Sequence, residues 1–296
     1  MADAEIDAIR ELLKSRPRPA GLADRRARLD GLGARYPLPA DVQVDPVDAD
    51  GVDAEWTITP GADPGRVILF LHGGGYISGS LASHRHTVAQ AGREAGARTL
   101  ALGYRLAPEH PFPAALEDAV AGYRFLLSQG VSPGRIALAG ESAGGGLAVA
   151  ALVRLRDAGV ALPACAWCSS PWVDLTMTGG SMTVKAEVDP LIQESYLAEL
   201  AAQYLHGADP LTPMASPLYA DLQGLPPLLI QVGSAETLLD DAVRLAGAAG
   251  AADVRTTLQV WPRMIHAWHL FFPQLEAGRR SLAEAGAFVR QVWGQA

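Results

Sequence analysis

Ser142 lies in a short motif that could carry nucleophilic chemistry, Gly140-x-Ser142-x-Gly144. The apolar run before it, residues 136–139, is typical of a buried strand, and the run after it, residues 147–154, is typical of a helix. A serine on such a turn has strained backbone geometry, and its hydroxyl lies at a helix N-terminus, which favours negative charge. The motif therefore suits a nucleophile whose reaction develops an oxyanion. The alternative is an ordinary strand–turn–helix corner with a capping serine.

A glycine-rich loop follows another apolar run. Residues 67–71 predict a strand, and His72-Gly73-Gly74-Gly75 continues directly from it. Because glycine has no Cβ, such a loop can present its backbone N–H groups to a substrate, and donors of this kind stabilise a tetrahedral intermediate. A phosphate-binding loop is the alternative, but no Gly-x-Gly-x-x-Gly opens a helix here and no Gly-Lys-Ser/Thr occurs. The loop favours acyl transfer.

A serine nucleophile needs a general base, and the base needs an orienting carboxylate. Where the nucleophilic serine lies on a strand–turn–helix corner, the carboxylate and then the histidine come later in the chain. His266 and His269 come just after the last predicted strand, residues 255–261, and we prefer His266 because it is nearer to that strand. We expect His269 to pack or to form hydrogen bonds. The other histidines that we considered precede the serine, or lie in a proline-rich turn or in a segment without strands: His84, His86, His110 and His206.

The orienting carboxylate is expected after the predicted strand 228–232. Glu236, Asp240 and Asp241 all follow this strand within a few residues. Sites of parallel α/β sheets form at the carboxyl ends of the strands, so each of the three carboxylates is suitably placed. The residue types alone leave the choice among them open.

Several of these motifs together resemble the hormone-sensitive-lipase-like family of α/β-hydrolase carboxylesterases. The similarity runs from about residue 40 to the C-terminus. The motifs that carry it are His72-Gly73-Gly74-Gly75, residues 104–114, Gly140-Glu141-Ser142-Ala143-Gly144-Gly145, and residues 215–218 leading into 225–227.

The resemblance implies a set of site residues. They are the nucleophile Ser142, the base His266, and the oxyanion-hole N–H groups of Gly73, Gly74 and Ala143. The family carries its acid at the first position of an Asp-x-Leu-x-Asp pattern, which Glu236 fills here in place of the commoner Asp. Glu141 also replaces the usual Asp before the serine. Arg263 and Ile265, just before the histidine, are further departures from the family pattern.

The implied function is a serine carboxylesterase that hydrolyses short- to medium-chain acyl esters through an acyl-enzyme, with no metal or cofactor. The chain length follows from the closed apolar pocket that the family's cap forms. A lactone hydrolase or an N-acetyl or O-acetyl deacetylase would use the same chemistry. A ligand-binding receptor on a hydrolase scaffold is a rival, but the presence of Ser142, Glu236 and His266 argues against it. Since the family often pairs through its last strand, we also expect a homodimer.

The alternation of strands and helices predicts an α/β fold, with eight mostly parallel strands between helices and a helical cap, as in α/β-hydrolases. We expect cap helices in residues 1–40 and a cap insertion over residues 172–212. The core then comprises residues 41–171 and 213–296. The predicted strands are residues 42–47, 52–58, 67–71, 98–104, 136–139, 164–170, 228–232 and 255–261.

The composition excludes several classes of function. Of the 296 residues, 49% are hydrophobic and 19% charged, and the net charge of −8 argues against a nucleic-acid partner. No apolar run approaches the ~18 residues that span a bilayer, and the first residues lack the features of a signal peptide. We therefore expect a cytoplasmic protein without a membrane partner. Cys165 and Cys168 have redox-pair spacing, but three residues apart on a strand they point to opposite faces, so we expect buried thiols.

Overall fold

An eight-stranded sheet forms the centre of the computed structural model, which describes residues 2–294. Its strands are β1 Gln43–Asp48, β2 Asp53–Ile58, β3 Asp63–Leu71, β4 Ala97–Leu102, β5 Ile136–Glu141, β6 Cys165–Ser169, β7 Leu228–Gly233 and β8 Thr256–Trp261. The order across the sheet is β1-β2-β4-β3-β5-β6-β7-β8. β2 is antiparallel to β1 and β4, and every pairing from β4 to β8 is parallel. The predicted mostly parallel α/β sheet is confirmed.

Helices connect the strands and cover both faces of the sheet. They are α1 Ala2–Lys14, α2 Leu22–Gly33, α3 Leu81–Ala95, α4 Ala114–Ser128, α5 Ala143–Asp157, α6 Ser181–Val184, α7 Glu194–Leu205, α8 Leu239–Ala251 and α9 Glu276–Trp293. Within residues 2–294, no helix is both long enough and apolar enough to cross a membrane.

Alternate residues of each central strand face opposite helical layers, because side chains of a strand alternate with a period of two. On β3, Leu69 packs in a core with α4, α5 and α8, whereas Phe70 packs with α3 and α9. The two cysteines of β6 separate in the same way, with Cys168 in the first core and Cys165 in the second. Both thiols are buried and free, as expected.

The N-terminal helices and the segment before β7 contact each other above the loops that follow the strands. The Arg25 guanidinium of α2 donates to both carboxylate oxygens of Glu199 on α7, at 2.7 and 3.2 Å. Ile6 and Ile9 of α1 pack with Ile265, in the loop after β8. These contacts support our proposal that residues 1–40 and 172–212 form a cap on the core.

Candidate active site

Ser142 lies on a sharp turn between β5 and α5. Its φ of 55° and ψ of −120° are rarely adopted by L-residues, so the surrounding structure must impose them. A Cβ on Gly140 would lie 2.1 Å from the Gly144 carbonyl oxygen, and a Cβ on Gly144 would lie 2.1 Å from that of Leu71. The two flanking glycines are required because the backbones of β3 and α5 pack directly against the turn.

The structure brings Ser142, His266 and Glu236 together from three loops. The Ser142 hydroxyl donates to His266 Nε2 at 2.9 Å, and His266 Nδ1–H donates to Glu236 Oε2 at 2.8 Å. His266 follows β8 and Glu236 follows β7, so both side chains come from the carboxyl edge of the sheet. All three are buried, with Ser142 the most accessible at 7%.

The Glu236 carboxylate is held by more than the histidine. Its Oε1 accepts hydrogen bonds from the Ser170 hydroxyl at 2.9 Å and from the Gly233 N–H at 2.5 Å. Because Oε2 accepts from His266 Nδ1, the imidazole is fixed with Nε2 free to accept the serine proton. Burial disfavours the imidazolium, but this bond and the nearby negative charges outweigh burial and raise the pKa of His266 above its usual range.

The other two carboxylates after β7 face elsewhere. Asp240 Oδ2 accepts from the Ser181 N–H at 2.9 Å, and so ties α6 to the start of α8. Asp241 Oδ2 accepts from the N–H groups of Val173 and Asp174, at 2.9 and 3.0 Å, and its burial raises its pKa to about 8. The position that the family pattern indicates, Glu236, is therefore the one in contact with the histidine.

The glycine loop after β3 presents backbone N–H groups beside the serine turn. Within the described chain, the N–H groups of Gly74, Gly75 and Ala143 have no hydrogen-bond acceptor. The Gly73 N–H, which we expected in the oxyanion hole, instead points towards the His84 ring, with Nε2 3.3 Å away. This nitrogen carries the proton that it shares with Glu141, so the contact is one of direction and not a hydrogen bond. A run of three glycines does not indicate which of its amides is open, so the sequence could not distinguish Gly73 from Gly75.

Comparison with known proteins places this arrangement in a family. A family model described as the α/β-hydrolase fold matches residues 68–270. A solved esterase of the bacterial hormone-sensitive lipase family is 48% identical, with a TM-score of 0.96 over 98% of this chain and 99% of that one. The chain belongs to this family.

Curated relatives of this hormone-sensitive-lipase-family chain include ester hydrolases. It is 48% identical to an acetyl-hydrolase of Streptomyces hygroscopicus, over 100% of this chain and 99% of that protein. It is 32% identical to the esterase LipU of Mycobacterium tuberculosis, over 99% of this chain and 100% of that protein. The protein is an enzyme that hydrolyses carboxylic esters, which confirms the predicted family and enzyme class.

Aromatic side chains of this esterase pack between the glycine loop and the cap. Tyr76 stacks on Tyr204 of α7 with ring centroids 3.8 Å apart and lies against Trp172 at 6.1 Å. A Cβ on Gly75 would lie 2.3 Å from Leu200 Cδ1 of α7, so the loop is pressed against this helix. The neighbourhood of the open N–H groups is therefore bulky and largely apolar.

Two further histidines lie close to the site. His269 is buried, packs edge-on against Trp268 at 5.7 Å, and has no hydrogen-bond partner on either ring nitrogen within the described residues. Its burial lowers its pKa to about 4. His84 of α3 lies 3.1 Å from the carboxylate of Glu141, directly before the serine. Sequence reasoning missed the contact of His84, because α3 precedes the serine and no local pattern connects the two.

Proposed function

We propose that the protein is a serine carboxylesterase that acts through an acyl-enzyme. Ser142 Oγ attacks the ester carbonyl carbon while His266 Nε2 takes the hydroxyl proton, and Glu236 stabilises the imidazolium. His266 then gives this proton to the leaving alcohol, so that the C–O bond breaks and the acyl group stays on the serine. Water, deprotonated by the same histidine, repeats the attack and releases the acid. The observation that carries this proposal is the pair of contacts at 2.9 and 2.8 Å through His266.

The negative oxygen of the tetrahedral intermediate needs hydrogen-bond donors. We assign this role to the N–H groups of Gly74, Gly75 and Ala143, since they have no acceptor among the described residues. This set replaces Gly73 by Gly75, because the Gly73 N–H is directed at His84. Donors that are fixed before reaction cost no reorganisation when the charge develops.

The proposal for the substrate is an uncharged ester with a short or medium acyl group. Its support is the bulky wall that Tyr76, Trp172 and Tyr204 form beside the glycine loop. The relative named acetyl-hydrolase favours the small end of this range, and with it deacetylation of O-acetyl or N-acetyl groups as a second candidate activity. A series of p-nitrophenyl esters from acetate to octanoate, together with an acetyl-amide and a lactone, tests the preference.

Loss of the serine tests the mechanism itself. Ser142→Ala should lower kcat on p-nitrophenyl acetate by several orders of magnitude, because no other group can form the acyl-enzyme. The control is Ser128→Ala, an exposed serine at the end of α4, which should leave kcat unchanged. Phenylmethylsulfonyl fluoride should add covalently to the wild type and not to Ser142→Ala. Normal turnover by Ser142→Ala would refute the serine mechanism, and no turnover by the wild type would favour a receptor.

We also propose a homodimer formed through β8. This strand lies at the edge of the sheet and pairs with β7 alone among the described strands. Its apolar Val260 side chain is 44% exposed, and an exposed apolar edge strand is able to pair with a strand of a second molecule. Light scattering should show the wild type as a dimer and Val260→Lys as a monomer. A monomeric wild type would refute the proposal.

A further inference from the structure

A second buried carboxylate lies beside His266. Glu141 Oε1 is 3.6 Å from His266 Nε2, the same nitrogen that accepts the Ser142 hydroxyl at 2.9 Å. Glu236 occupies the other ring nitrogen, Nδ1, at 2.8 Å. The imidazole therefore stands between two carboxylates, one near each nitrogen, and Glu141 is only 3% exposed.

The Glu141 carboxylate is held in place by His84 and by the backbone of the glycine loop. His84 Nε2 lies 3.1 Å from its Oε2, and since an ionised carboxylate can only accept, the imidazole donates this bond. A Cβ on Gly73 would lie 1.8 Å from the same oxygen, so only glycine leaves space for the carboxylate there. His84 Nδ1 in turn lies 2.7 Å from the Ser83 hydroxyl at the start of α3. The carboxylate cannot swing away without displacing this loop or this helix.

A buried carboxylate is costly unless other groups stabilise its charge. Burial alone would raise the pKa of Glu141, but the hydrogen bond from His84 and the electrostatic attraction of the neighbouring imidazoles outweigh burial and lower it. The groups that act on His266 from the surrounding elements are Glu236 after β7, Glu141 at the end of β5 and Asp189 before α7, together with His269. His84 acts on Glu141 instead. Glu141 is the carboxylate of this set that lies near the reacting nitrogen.

We propose that Glu141 is a positioning residue that acts through His266, by stabilising the imidazolium formed when Nε2 takes the proton of Ser142. The inference rests on the proposed function, in which His266 is the general base. Proton transfer places a positive charge on the ring 3.6 Å from the Glu141 carboxylate, and an opposite charge at this distance favours the charged form. His84 supports this effect, because its hydrogen bond keeps the buried carboxylate ionised.

The proposal predicts changes in the same direction for two variants. His266 is active as a base only when neutral, so kcat/KM rises with pH through its titration. Glu141→Gln removes a charge that favours the imidazolium, and the rising limb should move to lower pH by about one pH unit. His84→Leu removes the hydrogen bond that keeps the buried Glu141 ionised, so the limb should also move to lower pH, by no more than in Glu141→Gln. The weaker base in Glu141→Gln should also lower the plateau kcat, by about tenfold or less, with little effect on KM.

The experiment is a set of pH profiles of kcat and KM on p-nitrophenyl acetate for the wild type, Glu141→Gln, Glu141→Asp and His84→Leu. Glu141→Asp keeps the charge and should stay closer to the wild type than Glu141→Gln. The matched control is Glu55→Gln, since Glu55 is also a buried carboxylate that binds α3, through Arg85 at 2.9 Å, away from His266. The rising limb of the pH profile of Glu55→Gln should coincide with that of the wild type.

Thermal unfolding of each variant separates loss of fold from loss of charge. If Glu141→Gln does not fold, the shift to lower pH in His84→Leu still tests the proposal. An unmoved limb in folded Glu141→Gln, a shift equal to that of Glu55→Gln, or a limb in His84→Leu that does not move to lower pH overturns it. These results differ from failure of the proposed function, which would appear as normal turnover in Ser142→Ala.

Discussion

At the scale of single residues, the longer side chain at the acid position is the most informative feature. Glu236 reaches His266 Nδ1 with one oxygen, while the other accepts from Ser170 and Gly233. Glutamate is one methylene longer than the aspartate common in the family, and the two extra anchors compensate for its additional freedom. The carboxylate can therefore orient the imidazole as an aspartate would.

Glu236→Gln tests this assignment. The amide cannot stabilise the imidazolium, so kcat should fall by roughly 10³–10⁴-fold. The comparison is Asp240→Asn, which loses only a bond to the Ser181 N–H and should cost about 1 kcal/mol of unfolding free energy or less, with near-normal kcat. Steady-state kinetics and urea unfolding measure the two effects. If Asp240→Asn were inactive and Glu236→Gln near normal, the assignment would be wrong.

At the scale of elements, the sequence predicts the central strands well because they are buried runs of apolar residues bounded by polar or glycine-rich turns. It is less accurate at α5, which begins at Ala143 rather than near residue 147. Three consecutive glycines follow Ala143 and disfavour helix, but packing outweighs this propensity: a Cβ on Gly146 would lie 2.0 Å from the Trp172 carbonyl oxygen. The four-residue α6 was not predicted, because its position depends on Asp240, far along the chain.

Gly144→Ala tests the packing of the first turn of α5. The added Cβ would meet the Leu71 carbonyl oxygen at 2.1 Å, so β3 and α5 must separate. Overpacking of this kind costs about 1–3 kcal/mol of unfolding free energy, and displacement of Ser142 should also lower kcat. Gly31→Ala on α2 is the control: nothing lies within 4 Å of its Cβ, and the variant should gain about 0.5–1 kcal/mol from helix propensity. Equal stability of the two variants in urea would contradict the packing argument.

The N-terminal helix α2 contacts the glycine loop through one side chain. The Arg26 guanidinium donates to the Ile77 carbonyl at 2.8 Å and to the Glu109 carboxylate at 2.8 and 2.7 Å. Ile77 follows the open N–H groups by two residues, so this bond helps to fix their direction. Helix α2 therefore positions the glycine loop in addition to covering it.

Arg26→Met should therefore lower kcat by about tenfold and raise KM by less, because misplaced donors stabilise the transition state less well. Arg28→Met on the same helix is the matched control, since its bonds go to the carbonyls of Pro17 and Arg16 within the N-terminal segment. Steady-state kinetics on p-nitrophenyl acetate distinguishes the two. A loss of kcat in Arg28→Met as large as in Arg26→Met would indicate a general effect of the cap.

At the scale of the whole molecule, several histidines are buried in neutral form between the sheet and the helices. Burial lowers the pKa of His72 to about 3, and those of His86 and His269 to about 4. In the unfolded chain each would titrate near 6.5. Between about pH 6.5 and 4 the folded protein therefore leaves these histidines unprotonated, whereas the unfolded chain protonates them. The sequence could not predict this difference, because it depends on burial in the fold.

The consequence is a loss of stability on mild acidification. As pH falls below about 6.5, the unfolded chain gains protons at these histidines while the folded protein does not, so the free energy of unfolding decreases down to about pH 4. Urea unfolding between pH 7 and 4 should show this decline. His269→Gln should make it shallower, because one excluded proton is removed, whereas His206→Gln, at the exposed end of α7, should leave the slope unchanged. A pH-independent midpoint, or equal slopes for the two variants, would contradict the account.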